Sequence, residues 1–231
     1  MMLRSCFSVT GRMRFLSHLD LLKLMERAMR RAGIPVAFSQ GFNPHPKIAF
    51  ATAKAVGLAS VAEYFDVELT RALAPEEFRA RLQENCPPGI TIKETKEIPP
   101  EAPALMAVIN CASYQVLVRL KEKTTREELD ERIAELLSRK EIIVQRISPK
   151  KKKEFDIRPG IFSVLYRDCS SQEIWFEMDL KLGNEGNVRP NEVVEALHLG
   201  AYQVLEITRT GLFVREESGE KFPPSQFGAM Q

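Results

Sequence analysis

The stretch Arg14-Phe-Leu-Ser-His-Leu-Asp-Leu-Leu-Lys-Leu-Met-Glu-Arg-Ala-Met-Arg-Arg-Ala-Gly33 predicts one helix with two unlike faces. Ser17 is of a residue type that caps helix N-termini, and Gly33 permits the left-handed turn that ends many helices. We therefore expect a helix over residues 18–32. At about 100° per residue, its apolar side chains gather on one face and its basic side chains on the other. The basic side chains are Lys23, Arg27, Arg30 and Arg31.

Two interpretations of this cationic face remain open. It can be an ordinary solvated surface, on which Glu26 and Arg30 form an i,i+4 ion pair that contributes roughly a few tenths of a kcal/mol. It can also be a track for phosphate groups, because the planar guanidinium of arginine matches the geometry of phosphate oxygens. Arg14, which we place in a strand just upstream, adds positive charge and favours the second interpretation.

A second motif, Ser39-Gln-Gly-Phe-Asn-Pro-His-Pro-Lys47, predicts a stiff polar loop. Gly41 permits a turn conformation that is closed to other residues, and each proline biases the residue before it towards an extended backbone. Asn43 and His45 are therefore held on a stiffened chain. The loop can bind a ligand, or it can be a structural turn that packs Phe42 into the core.

The two motifs hold His18 and His45, two of the three histidines in the chain. His18 lies nearer the apolar side of the helix, as expected for a packed first-turn histidine. In the alternative, His18 and His45 act as general acid and base, or bind an anion at the helix N-terminus. They lack an evident third ligand, since Asp20 and Glu63 could join them only through tertiary proximity. We therefore expect no metal and no cofactor.

Composition limits the range of functions. A chain of 231 residues with 44% hydrophobic content can bury a substantial core and is long enough for two small domains. The net charge of +2 means that any nucleic-acid binding depends on local patches. The four cysteines lack the spacings that bind zinc or an iron–sulfur cluster. With no signal peptide and no apolar run near the ~20 residues needed to span a bilayer, we expect a cytoplasmic protein without a membrane partner.

The alternation of strands and helices predicts an α+β protein made of two tandem ferredoxin-like domains, each an antiparallel sheet with helices on one face. We place the first domain at residues 1–97 and a proline-rich linker at 98–110. The second domain is expected at 111–222, followed by a C-terminal tail at 223–231. The expected strands include one over residues 35–39 and a final pair over residues 202–215.

The second half offers a further candidate surface. The lysine tract at 150–153 is read as a solvated turn. Arg158 and Arg189 each precede a proline, which favours an extended backbone and helps to aim their side chains. We expect these two arginines to line a groove shared with the first half.

Several motifs together resemble the radical-SAM-linked protein family, a bacterial domain family of unknown function. They are Arg14-Phe-Leu-Ser-His-Leu-Asp20, Ser39-Gln-Gly-Phe-Asn-Pro-His-Pro46, Asp156-Ile-Arg-Pro159 and Val188-Arg-Pro190. The resemblance is to the stand-alone form of that family and implies a radical-SAM enzyme as partner. Because the chain lacks the three-cysteine cluster motif, any radical chemistry would reside on another polypeptide.

The leading hypothesis is an accessory protein that presents RNA, or another phosphorylated substrate, to a radical-SAM enzyme. One rival is a metal-independent endoribonuclease with His18 and His45 as catalytic residues. The other is a protein–protein scaffold that docks through the polar loop. The residues expected to contact the substrate are Arg14, Ser17, Asp20, Arg27, Arg30, Arg31, Gln40, Phe42, Asn43, Glu63, Arg158 and Arg189.

Overall fold

A computed structural model describes residues 1–148, 151–170 and 172–226. It divides the chain into two compact units. Unit 1 comprises Met1–Ile109 together with the chain from Gly211 onwards, and unit 2 comprises Asn110–Thr210. The sequence predicts that residues 211–222 belong to the second domain, whereas in the structure they are part of unit 1. Lys150 of the lysine tract and residues 227–231 of the expected tail lie outside the described residues.

Unit 1 is an antiparallel sheet with helices between its strands. Its elements are β1 (Met2–Val9), α1 (His18–Arg31), β2 (Ile48–Phe50), β3 (Ala59–Glu68), α2 (Pro75–Glu84), β4 (Ile90–Ile98), α3 (Leu105–Val108) and β11 (Lys221–Phe222). Strand β1 lies between β3 and β4, and β2 pairs with β3. The last residues of the long strand β10 (Tyr202–Arg215), from Gly211 onwards, also belong to this unit, and the end of β10 pairs with β11.

Unit 2 repeats the same pairing scheme with a hairpin added. Its elements are β5 (Cys111–Leu120), α4 (Arg126–Ser138), β6 (Ile143–Ser148), β7 (Lys151–Asp156), β8 (Ile161–Ser170), β9 (Glu173–Lys181), α5 (Pro190–Ala196) and the first part of β10 (Tyr202–Arg215). Strand β5 lies between β9 and β10, and β8 pairs with β9. Strands β6 and β7, which lie between α4 and β8 along the chain, form a separate two-stranded sheet.

Helix α1 forms as the sequence predicts and contributes one face to the core of unit 1. Ser17 caps its N-terminus, and Gly33 follows its C-terminus with a φ of 63°, a conformation that glycine adopts without strain. The buried residues Leu21, Met25, Ala28 and Met29 pack in one cluster with the phenylalanines of β1 and β3. Each fully buried leucine, methionine or phenylalanine side chain in this cluster contributes about 1.5–3 kcal/mol through the apolar surface removed from water.

A buried arginine also holds unit 1 together. Arg4 in β1 is only 2% exposed, and its Nε and Nη2 atoms donate to the two carboxylate oxygens of Asp66 at 2.8 and 2.9 Å. Its Nη1 atom donates to the carbonyl of Pro224 at 2.9 Å, and Nη2 also donates to the carbonyl of Pro103 at 3.2 Å. We call this set of contacts the Arg4 clasp. It ties two distant segments of the chain to strands β1 and β3.

Some predicted elements differ from those observed. Residues 11–15, which include Arg14, form a 3-10 turn rather than a strand, because β1 ends at Val9 and Gly11 takes a φ of 54°. The predicted strand at 35–39 is reduced to isolated bridges at Val36 and Phe38. Conversely, the described lysines of the predicted turn at 150–153 belong to β7.

The predicted strand pair near the C-terminus is one long strand, β10. Gly211 lies within this strand, where a Cβ atom would come within 2.2 Å of the Phe213 ring. The glycine therefore provides room for a neighbouring side chain rather than a change of direction. The α+β class with antiparallel sheets is confirmed. No helix within the described ranges combines the length and the apolar character needed to cross a membrane.

Candidate functional site

A groove of about 700 Å³ runs along α1 in unit 1. We call it the α1 groove. One wall comes from the start and the basic side of α1, and the other from the turn that follows α2. Its lining residues are Leu16, Asp20, Lys23, Leu24, Arg27, Arg31, Glu84, Asn85, Cys86 and Pro87.

The cations of the α1 groove are not neutralised by ion pairs within the described parts of the chain. Lys23 and Arg27 are exposed and have no carboxylate partner there, and the expected pair between Glu26 and Arg30 does not form. Arg31 donates through Nη2 to the backbone carbonyl of Asn85 at 2.6 Å, which joins the two walls. The groove therefore presents positive charge to solvent. Arg30 is exposed on α1 and does not line the groove.

Ser17 and Asp20 are occupied by the helix cap. The Ser17 hydroxyl accepts a hydrogen bond from the backbone N–H of Asp20 at 3.2 Å and donates to the Asp20 carboxylate at 2.6 Å. This arrangement satisfies an amide that the first turn leaves without a helical partner. Asp20 also lines the α1 groove, and the observed contacts of both residues are structural.

Cys86 lines the wall opposite α1. Burial raises the pKa of its thiol to about 11, although the nearby charge of Arg31 acts in the opposite direction. The group is therefore a neutral thiol at neutral pH and offers no thiolate nucleophile to the groove. The wall from Glu84 to Pro87 could not be predicted from the sequence, since nothing local relates it to α1.

Arg14 and Phe15 sit at the end of the 3-10 turn, directly before the groove residue Leu16. The guanidinium carbon of Arg14 lies 4.8 Å from the centroid of the Phe15 ring. The Nε atom of Arg14 is buried, and no partner for it is found among the described residues. The ring of Phe15 is 58% exposed. Arg14 was expected as a binding residue, whereas Phe15 was not.

His18 and Glu63 have partners in the packed interior. The ring of His18 meets the ring of Phe50 edge-on, with 5.6 Å between centroids, as the packed interpretation predicts. Glu63 is buried in β3 opposite Phe7 of β1, and its charge contributes slightly to the raised pKa of Cys6, which is due mainly to burial. Neither His18 nor Glu63 lines the α1 groove.

The loop with the second motif is exposed on unit 1. The Ser39 hydroxyl accepts from the backbone N–H of His45 at 3.0 Å, and the Ser39 N–H donates to the His45 carbonyl at 2.8 Å. These bonds close the loop, and Gln40, Phe42 and Asn43 project from it as exposed residues. The interpretation in which Phe42 packs into the core is wrong, since its side chain is fully exposed. None of these residues lines the α1 groove.

Arg158 makes structural contacts within unit 2. Its Nε and Nη2 atoms donate to the carbonyl of Leu137 in α4, and its Nη1 donates to the carbonyl of Ile161. Arg189 is exposed and precedes α5, where its backbone N–H donates to the Glu192 carboxylate at 3.1 Å. Both arginines belong to unit 2.

Metal ligands do not converge in the part of the chain that the structure describes. Within residues 1–148, 151–170 and 172–226, no group of three or more histidine, cysteine, aspartate or glutamate side chains is placed to hold a metal ion.

The family model described as "Uncharacterized protein conserved in bacteria (DUF2344)" matches residues 2–190, and the chain belongs to this family. Among curated proteins, none matches the chain.

Several solved structures are similar in fold. A chain of the "Crystal Structure of a Cbf5-Nop10-Gar1 Complex" aligns with a TM-score of 0.50 and 12% identity over 92% of this chain and 50% of that chain. A chain of the "Structure of H/ACA RNP bound to a substrate RNA containing 2'-deoxyuridine" aligns with a TM-score of 0.48 and 11% identity, over 90% of this chain and 47% of that chain. This protein thus spans about half the length of each of these two chains. At such identities the first similarity shows the fold alone.

Proposed function

We propose that this protein is a binding module that holds RNA, or another phosphorylated ligand, in the α1 groove. One observation carries the proposal. Lys23, Arg27 and Arg31 line a single groove, and none of them forms an ion pair with a carboxylate among the described residues.

The physical argument concerns where the charges lie. Lys23 and Arg31 are eight positions apart on α1, which corresponds to about 12 Å along the helix axis at 1.5 Å per residue. The cations therefore form a line, as a polyanion requires. One guanidinium group can donate two parallel hydrogen bonds to a phosphate, and each phosphate that a cation neutralises releases condensed counterions. The carboxylates of Asp20 and Glu84 also line the groove, and we expect them to restrict where the phosphates lie.

We further propose that the partner is a radical-SAM enzyme, that the protein is cytoplasmic, and that each unit is a ferredoxin-like domain. The first two rest on the sequence motifs and composition described above. The third is supported by the shared pairing scheme, in which the first strand of each unit lies between its third and fourth strands and the second pairs with the third. The argument for RNA rests on the groove and not on the fold.

The test is the binding of a fluorescent structured RNA across a salt series. The variant Arg27→Ala with Arg31→Ala removes two groove cations, and we expect weaker binding with a flatter salt dependence. For a single-stranded contact the slope of log K against log salt should fall by about 1.4, at roughly 0.7 per phosphate contact. Equal affinity and slope in the wild type and this variant would overturn the proposal.

The matched control is Arg119→Ala with Arg167→Ala. These exposed arginines of unit 2 pair with Glu173 and Glu177, so the control removes the same charge away from the groove. We expect it to bind RNA nearly as the wild type does. An equal loss in both double variants would mean that net charge, and not the groove, determines affinity.

The rival hypotheses have unequal support. The endoribonuclease hypothesis loses one proposed catalytic group, because His18 packs against Phe50. The scaffold hypothesis gains an observation, because the fully exposed Phe42 is available to a protein partner. If the wild type bound no RNA even at low salt, the function would move to this loop, and the affinity of Phe42→Ser for the radical-SAM enzyme would test it.

A further inference from the structure

The 3-10 turn ahead of α1 holds an exposed aromatic ring one residue before the α1 groove begins. Phe15 is the last residue of the turn, and the next residue, Leu16, lines the groove. More than half of the Phe15 surface is open to solvent. The Arg14 guanidinium lies over one face of the ring at 4.8 Å, so a stacking ligand would use the opposite face.

A buried lysine fixes this turn in place. Lys54 is only 4% exposed, and its ammonium donates to the carbonyl of Arg14 at 2.8 Å and to the carbonyls of Ala55 and Leu58. The backbone N–H of Gly57 donates to the same Arg14 carbonyl at 2.8 Å. Burying an ammonium is costly unless it is well hydrogen-bonded. The turn is therefore held rigidly, and the Phe15 ring is presented from a fixed backbone.

Arg14 contains a donor that its surroundings do not satisfy. Its Nε is buried and has no partner among the described residues. Leaving a buried donor without an acceptor costs about 1–3 kcal/mol, and such a group in a folded protein calls for an explanation. Because this atom is closed to solvent, a ligand acceptor reaches it only when the Arg14 side chain shifts.

A nucleotide base provides both the flat face and the acceptors. Stacking of one base on an aromatic side chain contributes about 1–3 kcal/mol and works with every base. A base inside a duplex has no free face, and sequence-selective RNA recognition targets unpaired bases for this reason. The cations of α1 lie beyond Leu16 and can hold the phosphates that follow the stacked base.

We infer that the ligand of the α1 groove is single-stranded RNA, with an unpaired base stacked on Phe15 beside Arg14. This inference rests on the proposed function and adds the strandedness of the ligand and the residue that reads it. It assigns Phe15 as a base-stacking residue and Arg14 as a donor to the same nucleotide.

The experiment compares three labelled probes of equal length: a single-stranded RNA, the same backbone with abasic sites, and the matching duplex. The variant is Phe15→Ala, whose exposed position makes it a mild change to the fold. Stacking of 1–3 kcal/mol corresponds to about 5- to 150-fold in affinity, and we expect Phe15→Ala to lose this factor for the single strand only. Phe15→Tyr should retain it, since the ring is kept.

The control variant is Phe155→Ala. Phe155 in unit 2 also carries a guanidinium over its ring, that of Arg146 at 4.7 Å, but Arg146 is ion-paired with Glu192. We expect Phe155→Ala to bind all three probes as the wild type does. An equal loss in the two alanine variants would overturn the inference, as would duplex binding as tight as single-strand binding.

The two levels of the argument fail in distinguishable ways. If Phe15→Ala binds the single strand as tightly as the wild type while Arg27→Ala with Arg31→Ala does not, the base-stacking inference is wrong and the proposed function stands. If neither the single strand nor the abasic probe binds in a salt-dependent manner, both are wrong.

Discussion

At the scale of single residues, the Arg4 clasp shows how strongly a buried ion pair depends on both partners. Each nitrogen of the Arg4 guanidinium has an acceptor, and two of those acceptors are the oxygens of Asp66. Removing one member of such a pair leaves the other charged and buried, which costs about 3–5 kcal/mol.

We therefore predict that Asp66→Ala lowers the free energy of unfolding by about 3–5 kcal/mol. Urea unfolding followed by circular dichroism measures this change. The control is Glu68→Ala, which removes an exposed ion pair to Lys47 and should cost about 0–1 kcal/mol. A similar small loss in both variants would show that the clasp contributes little.

A second residue-scale prediction concerns the thiol in the groove wall. Burial raises the pKa of Cys86 from an ordinary value of 9.0 to about 11, and Arg31 opposes this shift. Because the pKa of the Cys86 thiol is higher in the folded state than in the unfolded chain, the contribution of this thiol to the free energy of unfolding is complete below pH 9. It is lost as the pH rises towards 11. Ultraviolet titration of the thiolate should locate the transition, which Cys86→Ala removes.

Replacing Arg31 tests the same geometry without a ligand. Arg31→Ala removes the nearby positive charge, so the pKa of Cys86 should rise further and its alkylation at fixed alkaline pH should slow. Arg79→Ala, which removes an arginine paired with Glu76 on α2, is the control and should leave the titration unchanged. Faster alkylation in Arg31→Ala would contradict the described groove.

At the scale of elements, α1 could be predicted almost entirely because its signals are local. The Ser17 cap, the apolar period and Gly33 all act within the helix itself, and the structure confirms them. The strand expected at 35–39 does not form, because strand formation depends on contacts that are not local. Whether an extended segment becomes a strand depends on a partner along its whole length, and residues near Val36 and Phe38 find only isolated bridges.

The α1 cap supports an element-scale prediction. Ser17→Ala removes the side-chain acceptor of the Asp20 amide and should lower the free energy of unfolding by about 1 kcal/mol. Because the groove cations lie further along α1, RNA affinity well below the melting temperature should change little. Thermal unfolding and RNA binding measured on one sample check both parts, and a large loss of affinity at full folding would give Ser17 a direct role.

At the scale of the whole molecule, only one of the two walls of the α1 groove could be predicted from the sequence. The basic face of α1 was predicted from periodicity. The facing wall from Glu84 to Pro87 depends on how α2 and the turn after it pack in unit 1, which no local pattern encodes. The same limit explains the domain boundaries, since the return of Gly211 to unit 1 follows from tertiary contacts alone.

The division of the chain predicts that its two units behave differently as fragments. Unit 2 is continuous over Asn110–Thr210, so a fragment of residues 110–210 should unfold cooperatively by circular dichroism. A fragment of residues 1–109 lacks the Pro224 carbonyl of the Arg4 clasp and should unfold at lower urea than unit 1 does in the full chain. Equal midpoints would show that residues 211–226 are dispensable for unit 1.

The Arg4 clasp also sets an order of events during translation. Arg4 and Pro224 are 220 positions apart, which is roughly 10–40 s of synthesis at about 5–20 residues per second. For most of that interval, once Asp66 has been made, the nascent N-terminal half has this partner for Arg4 but not the acceptor at Pro224. Unit 2, whose residues all precede Pro224, can be finished first, so the part of the protein that leaves the ribosome earliest is the last to close.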